Sequence, residues 1–452
     1  MRTEPLRRLR NTFSGRARLL ATTDCCWDET GMKNEFHAVR GAGMTRTDFS
    51  VAIVGGGVAG LSLASELAKR APDQSVVVLQ DEPHAAYDRP PLSKAFLLDG
   101  DTDAIALMLP DMERVDVRSG VRAEAVDVEA RSVALSTGGS LTFGQLIFAT
   151  GARARSLPSL ASGALPVCKL RGLDDARALR GHLFSGSRLV IVGGGIIGLE
   201  VAATARTIGA EVTVVEVLPA LLSRSGCPQL SIFLRETHEQ QGVTFHLGRS
   251  VASVTADSIV LDDGVRIPAD VILVAAGVIP NTELAAAAGA ACDNGILVDD
   301  LGRTSLPNIW AIGDCSRAWC EEQRTHVRSE TWTRAREQAS VLAMALCGQP
   351  TTSASEAPAY YWSDQYHLKI QVAGSPKGEL NVVRGDMSAD SFSILHLAGG
   401  RLVGATAINA PRDLGSLKKI IRSRRAVDAE VLADLSTDLK VLSSPKSVNA
   451  AS

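Results

Sequence analysis

Two glycine-rich turns of identical spacing constrain the fold of this sequence more than any other feature. Each turn follows a compact apolar run, FSVAIV or SRLVIV, and leads into apolar residues at helical spacing. In a G-x-G-x-x-G turn, the first glycine permits the bend, the second lets a pyrophosphate approach the backbone, and the third lets helix and strand pack closely. The glycines are Gly55, Gly57 and Gly60 in the first turn and Gly193, Gly195 and Gly198 in the second. The sequence therefore predicts two dinucleotide-binding folds in one chain.

The acids that close the next strand of each fold indicate what the folds bind. In the first fold, SVVVLQDE ends at Asp81 and Glu82; either carboxylate could accept hydrogen bonds from an adenosine ribose, and we favour Asp81. In the second, Glu216 closes VTVVE, where a carboxylate binds the ribose 2′-OH and repels a 2′-phosphate. This arrangement favours NADH over NADPH. Arg224 lies further on and could bind a phosphate, although neutralising surface acids is the commoner role of such an arginine.

Two nucleotide sites in one chain imply a reaction class. Hydride must pass between two bound carriers, so one fold should hold a flavin and the other a nicotinamide. The glycine turns themselves do not say which fold holds which carrier.

Composition narrows the remaining classes. A chain of 452 residues is too long for a single core, and its formal net charge of −3 lacks the positive field that nucleic-acid binding requires. No apolar run of about 18 residues occurs, so we expect no membrane span. The eight cysteines are scattered through the chain, which fits a reducing compartment and a cytoplasmic location. The histidines show no ligand spacing, so we expect no metal site.

The order of motifs predicts a discontinuous first domain. Matching strand-and-turn segments, LTFGQLIFATGAR and ADVILVAAGVIPN, flank the second glycine turn, and LPNIWAIGDC returns to the first fold. We expect a first nucleotide-binding domain at 44–155 and 281–357, an inserted second one at 156–280, and a C-terminal α+β domain at 358–452. Residues 1–43 are arginine-rich and aperiodic, which indicates a disordered N-terminal extension.

Several longer motifs, taken together, resemble one family. YDRPPLSKAFL, FATGAR, VGGGIIGLE, VAAGVIPN, AIGDC, SETW and YYWSDQ occur in the order and close spacing of the ferredoxin reductases of aromatic-ring dioxygenase systems. Rubredoxin and putidaredoxin reductases are similar. The resemblance runs from about residue 50 to the carboxyl terminus. It implies an α/β, glutathione-reductase-like fold of two Rossmann-like domains, with the NADH domain inserted in the FAD domain, plus the C-terminal α+β domain.

The resemblance also implies cofactors, a partner and site residues. The enzyme would take hydride from NADH onto FAD and pass single electrons to a [2Fe-2S] ferredoxin that feeds an aromatic-ring oxygenase, acting as a monomer or homodimer. The implied FAD contacts are Gly55, Gly57, Ala59, Gly60, Asp81, Arg89, Lys94, Ala123, Arg171, Asp314 and Trp332. The implied NADH contacts are Gly193, Gly195, Ile197, Gly198, Glu216, Arg224 and Gly277.

Two charged residues are the implied catalytic pair. By the resemblance, Lys94 would lie beside the N5 edge of the flavin, where its charge stabilises the reduced form, and Glu200 would face it. Ser93 and Lys94 stand where disulfide and persulfide reductases carry cysteine. Without a thiol at that point, electrons should leave to a separate protein.

Other readings stay open at this point. An NADH oxidase or peroxidase would pass electrons to oxygen species, although the missing cysteine argues against peroxide chemistry. A rubredoxin- or putidaredoxin-type reductase would use a different acceptor protein. A relative of apoptosis-inducing factor would act partly as a binding flavoprotein.

Overall fold

The computed structural model of this chain describes residues 46–160, 164–223, 226–351, 353 and 358–444. Residues Arg46–Ser452 form one compact unit. The predicted N-terminal extension and Arg224 lie outside the described residues. Among the described residues, no helix combines the length and the apolar character needed to cross a membrane.

The strands are β1 Asp48–Val54, β2 Val76–Gln80, β3 Val115–Ser119, β4 Ala123–Asp127, β5 Ser132–Leu135, β6 Ser140–Phe148, β7 Ala152–Ala154, β8 Val167–Lys169, β9 Arg188–Val192, β10 Glu211–Glu216, β11 Val243–Leu247, β12 Val251–Val254, β13 Ser258–Leu261, β14 Arg266–Pro268, β15 Val271–Val274, β16 Val278–Pro280, β17 Ile296–Val298, β18 Ile309–Ala311, β19 Ser316–Cys320, β20 Thr325–Arg328, β21 Tyr360–Gln365, β22 Leu368–Gly374, β23 Leu380–Asp386, β24 Ser391–Ala398 and β25 Arg401–Ile408. The α-helices are α1 Val58–Arg70, α2 Ala95–Asp99, α3 Leu173–Arg180, α4 Ile196–Ile208, α5 Pro228–Gln240, α6 Glu283–Ala287, α7 Trp332–Leu346, α8 Pro411–Ser423, α9 Ala429–Ala433 and α10 Leu439–Leu442.

The first nucleotide fold is a sheet with β1 at its centre. Its order is β3-β2-β1-β6-β5-β4, and β18 adds to β6. Strands β2, β1, β6 and β18 pair in parallel, so their carboxyl ends meet at one edge. Because both faces of these strands are covered, β2 reads as a continuous apolar run, VVVL, before Gln80. Helices α1 and α7 cover one face of the sheet.

The second nucleotide fold repeats this arrangement as a parallel sheet of order β11-β10-β9-β15-β8. The chain leaves the first fold through β7 and returns through β16, and these two strands pair antiparallel with Ala154 opposite Val278. The second fold is therefore inserted into the first, and the expected fold class is confirmed.

The C-terminal sheet is antiparallel, with the order β21-β22-β25-β24-β23. Helix α8 covers one face, over Leu414, Leu417 and Ile420. The other face packs against the second nucleotide fold, where Phe392 meets Phe233 of α5 edge-on at 5.0 Å. The division of the chain into three domains at the expected bounds stays a prediction.

Candidate functional site

A cavity of about 700 Å³ lies at the carboxyl edge of the first sheet. The turn after β1 and the ends of β2 and β6 line one side of it, and Asp314 and Trp332 line another. This is where open parallel sheets bind ligands, because the helix amino termini point there. Of the residues implied for FAD, those lining the cavity are Gly55, Gly57, Ala59, Asp81, Arg89, Arg171, Asp314 and Trp332.

The glycines of the first turn have distinct physical roles. Gly55 has a φ of +122°, and a Cβ there would lie 2.1 Å from the Ala149 carbonyl oxygen. A Cβ on Gly60 would lie 2.0 Å from the Gly55 oxygen, so this glycine lets α1 pack on the turn. A Cβ on Gly57 would meet no protein atom within 4 Å, because this position faces the cavity.

The amino terminus of α1 is open to an anion. The N-cap residue of α1 is Gly57, and no side chain accepts a hydrogen bond there to cap the helix. The first turn of the helix contains no acidic residue. Free backbone N–H groups and the positive end of the helix dipole attract a diphosphate. The turn therefore fits the pyrophosphate of a dinucleotide such as FAD.

Charged side chains close the far wall of the cavity. An Arg171 guanidinium nitrogen lies 2.6 Å from an Asp314 carboxylate oxygen, and Arg171 also donates to the Ala152 carbonyl at 2.8 Å. Arg89 donates to Glu82 at 2.7 Å and to the Arg171 carbonyl at 3.1 Å. These contacts fix the two arginines at the cavity wall.

The two candidate ribose acids both line the cavity. Asp81 is exposed and pairs with Arg122 at 3.0 Å. Glu82 accepts hydrogen bonds from Tyr87 and Arg89. Burial raises the pKa of the Tyr87 hydroxyl, which also accepts from the Leu173 N–H at 3.0 Å. Asp81 thus has fewer protein partners than Glu82, and its contact with the ribose stays a prediction.

One cavity residue, Gln80, escaped sequence reasoning. Its side chain is buried and donates to the carbonyls of Glu82 and His84, but its Oε1 has no hydrogen-bond partner among the described residues. The N–H of Gly55 bonds the Leu79 oxygen just as that of Gly193 bonds the Val215 oxygen. Gln80 therefore occupies the position that Glu216 holds in the second fold, and aligning the two turns would have found it.

Three residues implied for FAD lie outside the cavity lining. Gly60 packs helix on strand, as described above. Lys94 follows the 3₁₀ turn Pro90–Ser93 and contacts Glu200. Ala123 begins β4 within the core of the first fold, so a contact with FAD at that position remains a prediction.

The second glycine turn has the same construction. Gly193 has a φ of +122°, a Cβ on Gly198 would lie 2.3 Å from the Gly193 oxygen, and Gly195 faces open space. No side chain caps α4, and Ile197 in its first turn is 43% exposed. Gly277 follows β15 at the same edge of the sheet and accepts from the Arg155 N–H at 3.0 Å.

Glu216 ends β10 with its carboxylate fixed at the mouth of this turn. One oxygen accepts from the Gly194 N–H at 2.6 Å and the other from the Leu218 N–H at 2.8 Å. A carboxylate has about four lone-pair sites, so acceptor capacity remains for a ribose hydroxyl. The second turn and Glu216 therefore fit the adenosine half of a nicotinamide dinucleotide.

An ion pair between a buried carboxylate and a partly buried ammonium joins the two nucleotide folds. The Lys94 ammonium lies 2.8 Å from a Glu200 carboxylate oxygen, with side chains 17% and 2% exposed. Lys94 also donates to the Pro90 carbonyl at 3.0 Å, and Glu200 accepts from Ser93. Breaking such a pair by removing one partner leaves an uncompensated buried charge.

Comparison with known proteins gives relatives along nearly the whole described chain. Residues 49–339 match the Pyridine nucleotide-disulphide oxidoreductase family, and residues 360–443 match the Reductase C-terminal family. Putidaredoxin reductase of Pseudomonas putida is 36% identical over 409 residues, which are 86% of this chain and 96% of that protein. The ferredoxin–NAD(+) reductase component of the anthranilate 1,2-dioxygenase system of Burkholderia cepacia is 37% identical over 398 residues, 86% of this chain and 98% of that protein.

Two solved structures agree with these relatives. The covalent putidaredoxin reductase–putidaredoxin complex contains a chain that matches with a TM-score of 0.83 and 35% identity, covering 87% of this chain and 98% of that one. The ferredoxin reductase for the CYP199A2 system from Rhodopseudomonas palustris matches with a TM-score of 0.84 and 35% identity, covering 88% of this chain and 100% of the other.

The fold and the site define a flavoprotein oxidoreductase with two dinucleotide folds. More particularly, the chain belongs to the pyridine nucleotide-disulphide oxidoreductase family and, within it, to the FAD-dependent ferredoxin–NAD(+) reductases of aromatic-ring dioxygenase systems and their putidaredoxin reductase relatives. The resemblance and the expected cofactors, FAD and NADH, are confirmed. The roles of individual residues stay predictions.

Substitutions at two glycines separate binding from folding. Gly57→Ala should leave the fold stable, because its methyl group meets no protein atom, but it should weaken FAD binding by filling the space for the pyrophosphate. Gly60→Ala should lower the stability of the protein itself, because its methyl group collides with backbone. Bound FAD per polypeptide and the midpoint of chemical unfolding of the apoprotein measure the two effects. Equal losses of stability in both variants would contradict this division.

Proposed function

We propose that this protein is an NADH:ferredoxin oxidoreductase that passes electrons singly to a [2Fe-2S] ferredoxin, which feeds an aromatic-ring oxygenase. One observation carries the choice of acceptor. Among the described residues, no cysteine lines the cavity, and Ser93 precedes the lysine of the buried ion pair. Without a thiol at the flavin, electrons leave to a separate carrier and not to a protein disulfide.

FAD occupies the first fold in this proposal, and NADH occupies the second. The turn Gly55–Ala59 would hold the pyrophosphate of FAD. The Asp314 carboxylate would accept a hydrogen bond from a hydroxyl of the ribityl chain, and Arg171 keeps that carboxylate in place. Glu216 selects NADH at the second turn. Bound FAD supplies the step that proteins lack, accepting two electrons as hydride and releasing them one at a time.

The ion pair between Lys94 and Glu200 serves the junction of the two sites. Lys94 carries a positive charge to the flavin edge, where negative charge accumulates on reduction. The Glu200 carboxylate offsets the desolvation cost of that charge, because an unpaired ammonium in an apolar environment is strongly disfavoured. The pair bridges the elements that carry FAD and NADH, so it also fixes the two folds at this point.

A basic aromatic surface beside the cavity suits an acidic carrier. Trp332 lines the cavity and meets Trp362 edge-on at 5.8 Å, and Trp362 stacks on Tyr360 at 6.1 Å. The exposed Arg336 lies over the Trp332 ring at 4.9 Å, and the Lys418 ammonium lies 3.3 Å from the Tyr360 ring centroid. Positive charge around an aromatic path favours docking of a negatively charged ferredoxin at the flavin edge.

The basic residues of positions 418–425, at the end of α8 and just beyond it, contribute unequally to this surface. Lys419 and Arg422 are exposed. Arg424 bonds Glu322 at 3.1 Å, and Arg425 donates to the carbonyls of Leu442 and Ser444. Arg425 therefore serves the fold of the C-terminal domain, and the docking role belongs to the residues nearer the cavity.

We also propose a cytoplasmic location. The described cysteines are free thiols, as expected in a reducing compartment: Cys168, Cys227, Cys292, Cys315, Cys320 and Cys347. A thiol reagent that does not cross membranes should label the less buried of these cysteines in lysed cells but not in intact cells; equal labelling in both would contradict a cytoplasmic location.

The acceptor is tested by cytochrome c reduction with and without a carrier. The purified flavoprotein with NADH should reduce cytochrome c slowly alone and rapidly once a [2Fe-2S] ferredoxin is added. Rapid oxygen consumption that ferredoxin does not alter would instead support an oxidase and contradict the proposal.

Glu216→Gln should narrow the preference for NADH over NADPH. The neutral amide weakens the bond to the ribose 2′-OH and removes the repulsion of a 2′-phosphate; a hydrogen bond to a charged group contributes about 1.5–3 kcal/mol, so the preference should fall about tenfold or more. The ratio of kcat/KM for NADH to that for NADPH measures it. Glu211→Gln, at the exposed start of β10, is the matched control and should change nothing. An unchanged ratio in Glu216→Gln would refute the ribose assignment.

Lys94→Met should retain FAD but slow its reduction by NADH about a hundredfold, because the stabilising charge is lost. Stopped-flow bleaching of the flavin measures this rate. The variant also leaves Glu200 buried without its partner, so the double variant Lys94→Met, Glu200→Gln is needed as a control for folding. Reduction at the wild-type rate in both variants would refute the role of Lys94.

A further inference from the structure

A continuous chain of buried hydrogen bonds runs from the C-terminal domain to Glu200. Tyr366 bonds the Nδ1 of His238 at 3.0 Å, and the Nε2 of His238 bonds the Oε1 of Gln365 at 2.9 Å. The Nε2 of Gln365 bonds Ser363 at 3.0 Å, and Ser363 bonds Glu200 at 2.6 Å. All of these residues except Tyr366 are at most 2% exposed.

This series of hydrogen bonds joins separate parts of the fold. Glu200 lies on α4 and His238 on α5 of the second nucleotide fold, whereas Ser363 and Gln365 lie on β21 of the C-terminal sheet. Glu200 in turn contacts Lys94 of the first fold. A single polar chain therefore touches all three domains.

Counting donors gives the chain one direction. Ser363 has a single proton, and the carboxylate of Glu200 can only accept, so that proton goes to Glu200. Ser363 must then accept from the amide nitrogen of Gln365, which turns the amide oxygen toward His238. That oxygen requires a proton on Nε2 of His238, which leaves Nδ1 to accept from Tyr366. Every donor points toward Glu200.

Two further observations fit this arrangement. Burial lowers the pKa of His238 and raises that of Tyr366, so the imidazole is neutral and the hydroxyl keeps its proton. Tyr366 also begins a two-residue hairpin loop with a φ of +54°, a conformation that favours glycine.

We propose that His238 is a positioning residue for the Lys94–Glu200 pair. Its Nε2–H holds the amide of Gln365 in one orientation, and this commits the proton of Ser363 to Glu200. The carboxylate is then shared between Ser93, Ser363 and Lys94, which leaves part of the lysine charge for the flavin. The inference rests on the proposed role of Lys94 and adds a residue that contacts neither nucleotide site.

Breaking this series of hydrogen bonds should make the flavin harder to reduce. Without the His238 donor, Gln365 can turn, the Ser363 hydroxyl can bond the amide oxygen, and Glu200 loses one of its donors. The carboxylate then draws more strongly on Lys94, and less positive charge reaches the flavin. Hydrogen-bonded chains of this kind act cooperatively, so the effect is transmitted through Ser363.

The test is a double-mutant cycle on the midpoint potential of bound FAD, equilibrated with a reference dye. His238→Leu should lower the equilibrium constant for two-electron reduction about tenfold, which is about 30 mV. In a Ser363→Ala background, His238→Leu should cause no further shift, because the path is already broken. His238→Gln, whose amide can still donate to Gln365, should restore the wild-type potential.

Equal shifts of potential in both backgrounds, or no shift in either, would overturn the proposal. If His238→Leu does not fold, Tyr366→Phe replaces it in the cycle, since it removes only the terminal hydroxyl; it should shift the potential in the same direction, by less, and only when Ser363 is present. The measurement uses neither NADH nor ferredoxin. Its outcome is therefore independent of whether the proposed electron acceptor is correct.

Discussion

The buried contact between Lys94 and Glu200 is the interaction on which the rest of the site depends. It couples the segment between the 3₁₀ turn Pro90–Ser93 and α2, within the first nucleotide fold, to α4 of the second, with 2.8 Å between the charged atoms. Removing Lys94 would leave the buried Glu200 carboxylate without its counter-charge, so the pair favours one register of the two folds. Three hydroxyl or ammonium donors around one carboxylate make that register specific.

Topology brings this contact about. The chain passes between the nucleotide folds through β7 and β16, which pair with each other, so the inserted fold is held by one short two-stranded ribbon. The C-terminal sheet then packs on α5 and supplies Ser363 to the same carboxylate. The contact between Lys94 and Glu200 therefore lies where the two nucleotide folds and the C-terminal sheet meet.

Much of this could be predicted from local sequence. The glycine turns and Glu216 were recognisable because close backbone approach permits few residue types at fixed spacing. The pairing of Lys94 with Glu200 came only from resemblance, since their positions are 106 apart. Gln80 was missed because an acid was sought at the strand end. The series of hydrogen bonds through His238 could not be predicted, because it depends on side chains from α5 and β21 meeting in a packed interface.

In the proposed reaction, NADH at the second fold reduces FAD at the first. Anaerobic titration of the purified holoprotein with NADH, followed by flavin absorbance, tests it most directly. The flavin absorbance should bleach in proportion to the NADH added, and bleaching should be complete when the moles of NADH equal those of flavin. A folded protein that binds no flavin, or whose flavin stays oxidised in excess NADH, would contradict it.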